Sequence, residues 1–275
     1  MLISDENALI REVGDEPADM RVKLYYCYKE KYGKDLQMVM KSELGSNALG
    51  MTLQLLSLPL DMAEALMIEI AMKGFGTKER LLYPIICGRE NDEIVKLKAT
   101  YFSMFSEDMS IQLAEELNGD FERMIFWSLQ GLEKEYDTDY FTDEKAEADA
   151  EAFHKAADGR FGTDEASLFK IIAESPAEHL KKINQIYVQN YKKTLIRCLN
   201  WEIGGDAGRA ARYAVGMKLK VRQRSSRKKV TARLASSYSD YFLSLNSSHT
   251  RRLPSTLPSA VKVLAQVRGV GSICW

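Results

Sequence analysis

Two short segments of the sequence combine glycines, a threonine and acidic residues in a pattern that suits a cation site. The first, KGFGTKE, covers residues 73–79, and the second, GRFGTDE, covers residues 159–165. Glycine readily adopts positive φ angles, so each segment predicts a tight loop between helices with its backbone carbonyls turned outward. Such carbonyls suit a hard cation, provided that a carboxylate from elsewhere in the chain supplies negative charge.

A carboxylate follows each segment at the same distance along the chain. Glu116 lies 40 residues after Gly76, and Glu202 lies 40 residues after Gly162. A glutamate returned to the loop by a later helix would close the carbonyls into an oxygen cage. Ca²⁺ takes about six to eight oxygen ligands in flexible geometry, whereas Mg²⁺ demands a stricter octahedron. The spacing therefore predicts two calcium sites, and none at Glu43, whose segment KSELGS repeats the distal part without a glycine loop before it.

The residues before each glutamate predict the helices that position it. Aromatic or large apolar side chains stand fifteen, eleven, seven and three positions before the second and third glutamates: Tyr101, Phe105, Met109 and Leu113, then Tyr187, Tyr191, Leu195 and Leu199. Spacing by four puts such residues on one helical face, which we interpret as core packing. Thr77 and Thr163 predict helix N-caps. No alternating β-branched runs compete, so the fold is predicted to be all-α.

These repeated segments resemble the repeats of the annexin family. MKGFGTKERLLYPIICGREND with YFSMFSEDMSIQLAEELNGDFERM is similar to a full repeat, and the resemblance extends over about residues 4–217. It implies five-helix repeats in a curved superhelical array whose convex face binds calcium and acidic phospholipid. The implied organisation is a partial first repeat without its first helix and calcium loop (1–57), a second repeat (58–132), an acidic linker with a third repeat (133–217), and a basic Ser/Arg-rich tail in place of a fourth repeat (218–275).

The resemblance also implies which residues bind calcium and membrane. The ligands implied for the two sites are the carbonyls of Met72, Gly74 and Gly76 with the carboxylate of Glu116, and Arg160, Gly162 and Glu202 with a further contribution from Ala157, Asp158 or Gly159. Phe75 and Phe161 occupy the loop apices and, with Lys73, are the candidates for membrane contact. An aromatic ring at an apex can enter the lipid interface, and the alternative is that it folds back onto its own bundle.

Charge is distributed unevenly along the chain. From Lys218 onward there are 12 of the 38 basic residues and only one of the 39 acids, so the tail carries a net charge of +11 and the rest −12. The basic segment 218–233 would be attracted to anionic lipid or to nucleic acid. Two interpretations of residues 218–275 stay open. They are either a genuine, disordered basic tail or the translation of a retained intron or of a shifted reading frame.

The functional prediction is calcium-dependent, reversible binding to acidic phospholipid membranes by a protein that is not an enzyme. His154, His179 and His249 share no catalytic motif, and the first two are predicted at the surface of helices. The alternative is a calcium-independent interaction protein, cytoskeletal or RNA-binding, that acts through the tail; the repeats themselves are not expected to bind nucleic acid. Four scattered cysteines, an N-terminus interrupted by acids and the absence of an 18-residue apolar run predict a cytoplasmic protein, peripheral on membranes when calcium is raised.

Overall fold

The computed structural model describes residues 9–73, 76–158 and 162–220, and all regular elements within them are helical. This confirms the prediction of an all-α fold. A π-helical turn, Ile10–Gly14, precedes thirteen α-helices in the described residues. Their bounds are α1 Ala18–Tyr32, α2 Leu36–Leu44, α3 Ala48–Leu56, α4 Leu60–Met72, α5 Glu79–Ile86, α6 Asn91–Phe105, α7 Met109–Glu116, α8 Gly119–Leu129, α9 Asp143–Ala157, α10 Glu165–Glu174, α11 Ala177–Tyr191, α12 Leu195–Glu202 and α13 Gly205–Lys220.

The chain divides into two compact units, the first of which contains the described residues 9–70. Helix α2 packs against α3 through a face on which Leu36, Met40 and Leu44 are buried at intervals of four residues. Asp35 caps α2 by accepting a hydrogen bond from the amide of Gln37 at 3.1 Å. Tyr32 lies eleven residues before Glu43, as Phe105 lies eleven residues before Glu116, but it is 55% exposed and is not part of the core.

The second unit contains the described residues 71–220, and α13 lies at its centre. This helix contacts α5, α8, α10, α11 and α12. Its buried face consists mainly of small side chains, namely Ala207, Gly208, Ala210, Ala211 and Ala214. Small side chains allow helix axes to approach closely, because helix separation depends on the residues at the contact. The alanine-rich face therefore explains how one helix contacts five neighbours.

The last described helix extends past the predicted limit of the third repeat. Helix α13 continues to Lys220, and the side chain of Lys218 is only 6% exposed. The predicted basic tail starts at Lys218, yet this lysine is part of the fold, because it bonds to the end of α10 and to Glu133. Residues 221–275, for which disorder was predicted, lie outside the described residues. The other predicted repeat limits stay predictions.

A second correction concerns His179, which was predicted at the surface but is fully buried on α11. Its Nε2 lies 2.8 Å from Oδ2 of Asp149, and its ring centroid lies 4.4 Å from that of Phe141. Buried polar groups require hydrogen-bonding partners; the carboxylate of Asp149 on α9 meets this need for Nε2, whereas Nδ1 is buried without a hydrogen-bond partner among the described residues. Among the described helices, none has the length and apolar content needed to cross a bilayer.

Candidate functional site

The loop between α4 and α5 brings the chain back on itself within a few residues. Met72 ends α4 as a buried residue, and the amide of Lys78 donates to the carbonyl of Ala71 at 2.9 Å, which closes the loop. Gly76 is exposed with a φ of 83°, and a Cβ built there would meet no atom within 4 Å. The left-handed backbone, not crowding, therefore requires glycine at this position. Gly74 and Phe75 lie outside the described residues.

Helix α7 places Glu116 against this loop. The Thr77 hydroxyl lies 3.1 Å from the backbone carbonyl of Glu116 and 3.4 Å from its Oε2, and can donate to either oxygen. Glu116 is the last residue of α7 and is exposed. The glutamate that follows the glycine loop by about 40 residues thus contacts that loop, through Thr77. The contact places an exposed carboxylate beside a loop in which Gly76 has a left-handed backbone.

The predicted N-caps are displaced by one residue in both loops. Lys78, not Thr77, occupies the N-cap position of α5, and it makes no side-chain capping bond. Asp164, not Thr163, caps α10 by accepting from the amide of Ser167 at 3.1 Å. The predictions that Thr77 and Thr163 are N-caps are therefore wrong. The physical reason at Thr77 is that its hydroxyl is used to bond Glu116.

The loop between α9 and α10 has a related closure. The amide of Asp164 donates to the carbonyl of Ala156 at 2.8 Å, and Gly162 has a φ of 110° in an exposed position. Gly159, Arg160 and Phe161 lie outside the described residues. The contribution that the resemblance implied for Arg160, and the membrane contact expected of Phe161, therefore stay predictions.

Glu202 is the last residue of α12, as Glu116 is the last residue of α7. Burial raises the pKa of the Cys198 thiol one turn earlier; a hydrogen bond from Tyr187 and the charge of Lys193 oppose this, and the charges of Glu202 and Asp158 raise the pKa further. Oδ2 of Asp158 lies 3.7 Å from Nε2 of His154. The resemblance implied Asp158 as one of three alternative loop contributors, with Ala157 and Gly159.

Within the described residues, no group of three or more His, Cys, Asp or Glu side chains is arranged to hold a metal ion. At the first loop the carboxylate residue Glu116 contacts Thr77, and at the second loop Glu202 stands at the end of α12. Oxygen donors of this kind suit hard cations, and calcium tolerates irregular sets of them. Lys73, the third candidate for membrane contact, is exposed at the start of the first loop.

Sequence reasoning missed one exposed aromatic residue beside the second candidate site. Trp201 directly precedes Glu202 on α12 and is 61% exposed. The signal available in the sequence was its position next to the predicted ligand. The apolar periodicity did not identify it, because Trp201 lies outside the stripe of residues that point toward the core.

A family model described as Annexin matches residues 63–126 and 148–212 of the chain. Among curated relatives, mouse annexin A13 is 34% identical over 207 residues, which cover 75% of this chain and 64% of that protein. Human annexin A7 is 32% identical over 202 residues, covering 74% of this chain and 41% of that protein. The chain thus spans less than two thirds of the length of these relatives.

Solved structures show the same fold at low sequence identity. Annexin III superposes with a TM-score of 0.72 at 20% identity, covering 96% of this chain and 88% of that chain. Chicken annexin V in complex with Zn²⁺ gives a TM-score of 0.72 at 21% identity, with 96% and 90% covered. The calcium-bound structure of alpha-14 giardin gives 0.68 at 17% identity, with 95% and 94% covered. The chain therefore shares the helical fold of these proteins.

Proposed function

This chain belongs to the annexin family, and from that premise we propose that it binds acidic phospholipid membranes when calcium occupies its two interhelical loops. The observation that carries the proposal is the contact of Thr77 with Glu116. It places an exposed carboxylate, which supplies the negative charge, beside a loop for which the sequence predicts outward carbonyls. Calcium binding is the chemistry for which such a combination is suited.

The first site would use the carbonyls of Met72, Gly74 and Gly76 with the carboxylate of Glu116. Met72 and Gly76 flank the loop that the bond from Lys78 to Ala71 closes, and Thr77 anchors the loop to the glutamate. Protein oxygens alone leave part of the calcium shell to water or to another ligand. A lipid phosphate is an oxygen ligand of the required charge, so the membrane would complete the shell.

The second site would use Gly162, Arg160 and Glu202, with a further contribution from Ala157, Asp158 or Gly159. Of these three, Asp158 would add a second negative charge, and two carboxylates favour a divalent cation more strongly than one. Phe75, Phe161 and Lys73 would then face the lipid headgroups from the loops. Because one chain carries both sites, binding at one raises the effective concentration of the other at the same membrane, and weak sites act together.

Co-sedimentation of the full chain with phosphatidylserine vesicles, in calcium and in chelator, tests this proposal. We expect the wild-type chain to pellet only with calcium. Glu116→Gln and Glu202→Gln should each raise the calcium concentration required, and the double variant should remain in the supernatant. Glu115→Gln is the matched control, because it removes the same charge from an exposed position one residue away on α7.

The control separates loss of a ligand from a change in net charge. Removing any acid makes the chain more positive, which on its own strengthens attraction to an anionic surface. Pelleting of the double variant at the wild-type calcium concentration would show that Glu116 and Glu202 are not the ligands. A wild-type chain that is folded but does not pellet in calcium would refute the function itself.

A further inference from the structure

The side chain of Trp201 carries two cations over its ring. The Cζ atom of Arg197 lies 4.9 Å from the centroid, and Nζ of Lys193 lies 5.7 Å from it. Distances below about 6 Å are typical of attractive cation–π contacts. The ring is nevertheless 61% exposed, so the two cations do not shield it from an external surface.

Local structure fixes this arrangement. Arg197 and Trp201 are four residues apart on α12 and therefore share one face of the helix. Thr194 caps α12 by accepting a hydrogen bond from the amide of Arg197 at 3.2 Å. Lys193 lies in the turn that follows Lys192, whose φ of 58° ends α11. The turn and the cap together bring both cations to the indole ring.

Within the part of the chain that the structure describes, neither Lys193 nor Arg197 has a carboxylate within 4.0 Å of its charged nitrogens. Their positive charge is thus directed at an aromatic face and at solvent. Arginine stacked on an aromatic ring still presents its planar donors to phosphate in a bidentate manner. An anionic oxygen ligand is the missing partner that this chemistry fits.

The second repeat provides an internal comparison. Positions 107, 111 and 115 occupy the same register relative to Glu116 that 193, 197 and 201 occupy relative to Glu202. They hold Glu107, Ile111 and Glu115, all of which are exposed. The eight-residue helix therefore forms with either set of side chains, so the fold does not require the aromatic and cationic residues of α12.

We propose that Lys193, Arg197 and Trp201 form an anchoring patch for the headgroup layer of an anionic phospholipid membrane. The inference rests on the proposed function, because the patch adjoins Glu202. Tryptophan favours the boundary between headgroups and acyl chains, where its ring is apolar and its N–H can still donate. The two cations bind lipid phosphates beside it, which gives the third repeat an attachment that the acidic second repeat does not have.

Fluorescence of a full-length chain with Trp201 as its single tryptophan tests the patch directly. The sequence has three tryptophans, so Trp127→Phe and Trp275→Phe leave only this one. With calcium and vesicles of phosphatidylcholine and phosphatidylserine, we expect the emission to shift to shorter wavelength and brominated lipids to quench it. Chelator should reverse both changes, and vesicles of phosphatidylcholine alone should produce neither.

Exchanging the three patch residues with those at the matching positions of the second repeat tests whether the patch contributes to vesicle binding. The triple variant Lys193→Glu, Arg197→Ile, Trp201→Glu introduces the residues of the second repeat, and each cation lost near an anionic surface should weaken vesicle binding about five-fold. The reciprocal variant Glu107→Lys, Ile111→Arg, Glu115→Trp should strengthen it. Phe102→Ala is the control for loss of an exposed aromatic residue, since Phe102 is 60% exposed on α6, and it should leave binding unchanged.

The outcomes separate the patch from the function on which it rests. If the wild-type chain pellets with calcium but the emission of Trp201 does not change and the triple variant binds as tightly as wild type, the patch is refuted and the calcium-dependent function stands. If no variant and no wild-type chain pellets in calcium, the proposed function fails and the patch fails with it.

Discussion

Nζ of Lys218 lies 2.8 Å from Oε2 of Glu133, in an ion pair between a buried ammonium group and a partly buried carboxylate that joins the end of α13 to the connector after α8. The same ammonium group donates to the carbonyls of Ile172, Ala173 and Ser175 at 2.8, 3.1 and 2.8 Å. These carbonyls belong to the C-terminal end of α10, where backbone acceptors have no partner within the helix. A cation at this end also interacts favourably with the helix dipole.

The first prediction is that Lys218→Met destabilises the protein by about 3–5 kcal/mol, because removal of one partner leaves a partly buried carboxylate and three acceptors uncompensated. Urea denaturation of the full chain, followed by circular dichroism, measures the change. Lys220→Met is the matched control, since Lys220 is exposed two residues later on the same helix. Equal denaturation midpoints for Lys218→Met and wild type would show that the buried pair contributes nothing to stability.

A second prediction concerns pH and the two carboxyl groups that meet where α5 and α13 begin. Burial, followed by a hydrogen bond and repulsion from Asp206, raises the pKa of Glu79 above its usual 4.5, while Arg209 opposes the shift. The native state thus holds a proton that the unfolded state has lost, so stability falls as pH rises from about 4.5 through the native pKa. Glu79→Gln should remove this fall, because its amide stays neutral and can still donate to Asp206.

The measurement is a series of urea denaturations between about pH 4 and pH 7. The free energy of unfolding of Glu79→Gln relative to wild type should increase across the lower part of this range and then level off. Glu165→Gln changes the residue at the matching position of the third repeat, in the first turn of α10, and serves as the control. A constant difference between Glu79→Gln and wild type at all pH values would contradict the expected linkage.

The sequence was sufficient to predict the helical repeats because their core positions recur at fixed spacing. Tyr101 and Leu113 in the second repeat, and Tyr187 and Leu199 in the third, were expected on one buried face, and all four are fully buried. The distance of 40 residues also predicted that Glu116 would return to the loop at Gly76, and Thr77 contacts it. Periodicity within a repeat is a local property, so it can be read from the chain.

Contacts between helices that are distant along the chain could not be predicted in this way. The sequence predicts Lys218 as the first residue of a basic tail. In the structure, its side chain on α13 bonds to Ser175 at the end of α10, 43 residues earlier in the sequence. Glu79 and Asp206 are separated by more than a hundred residues and meet through helix packing. His179 is buried between Phe141 and Asp149, which α9 supplies as its partner. These positions depend on which helices are neighbours, and the spacing of residues within one repeat does not contain that information.

The final prediction compares two threonines with different roles. Thr77 connects the first loop to Glu116, whereas Thr142 caps a helix. Thr77→Val removes the hydroxyl that bonds Glu116 and leaves the bond of Lys78 to Ala71 in place, so the loop should still form but hold the glutamate less firmly. We expect a several-fold rise in the calcium required for vesicle binding and little change in stability. Thr142→Val is the counterpart, because Thr142 caps α9 by accepting from the amide of Lys145 at 3.2 Å. It should cost about 1 kcal/mol of stability with no effect on calcium. Calcium titrations of vesicle binding and urea denaturations of both variants test this difference. If both variants require the same calcium concentration and lose the same stability, the contact of Thr77 with Glu116 has no specific role in the site.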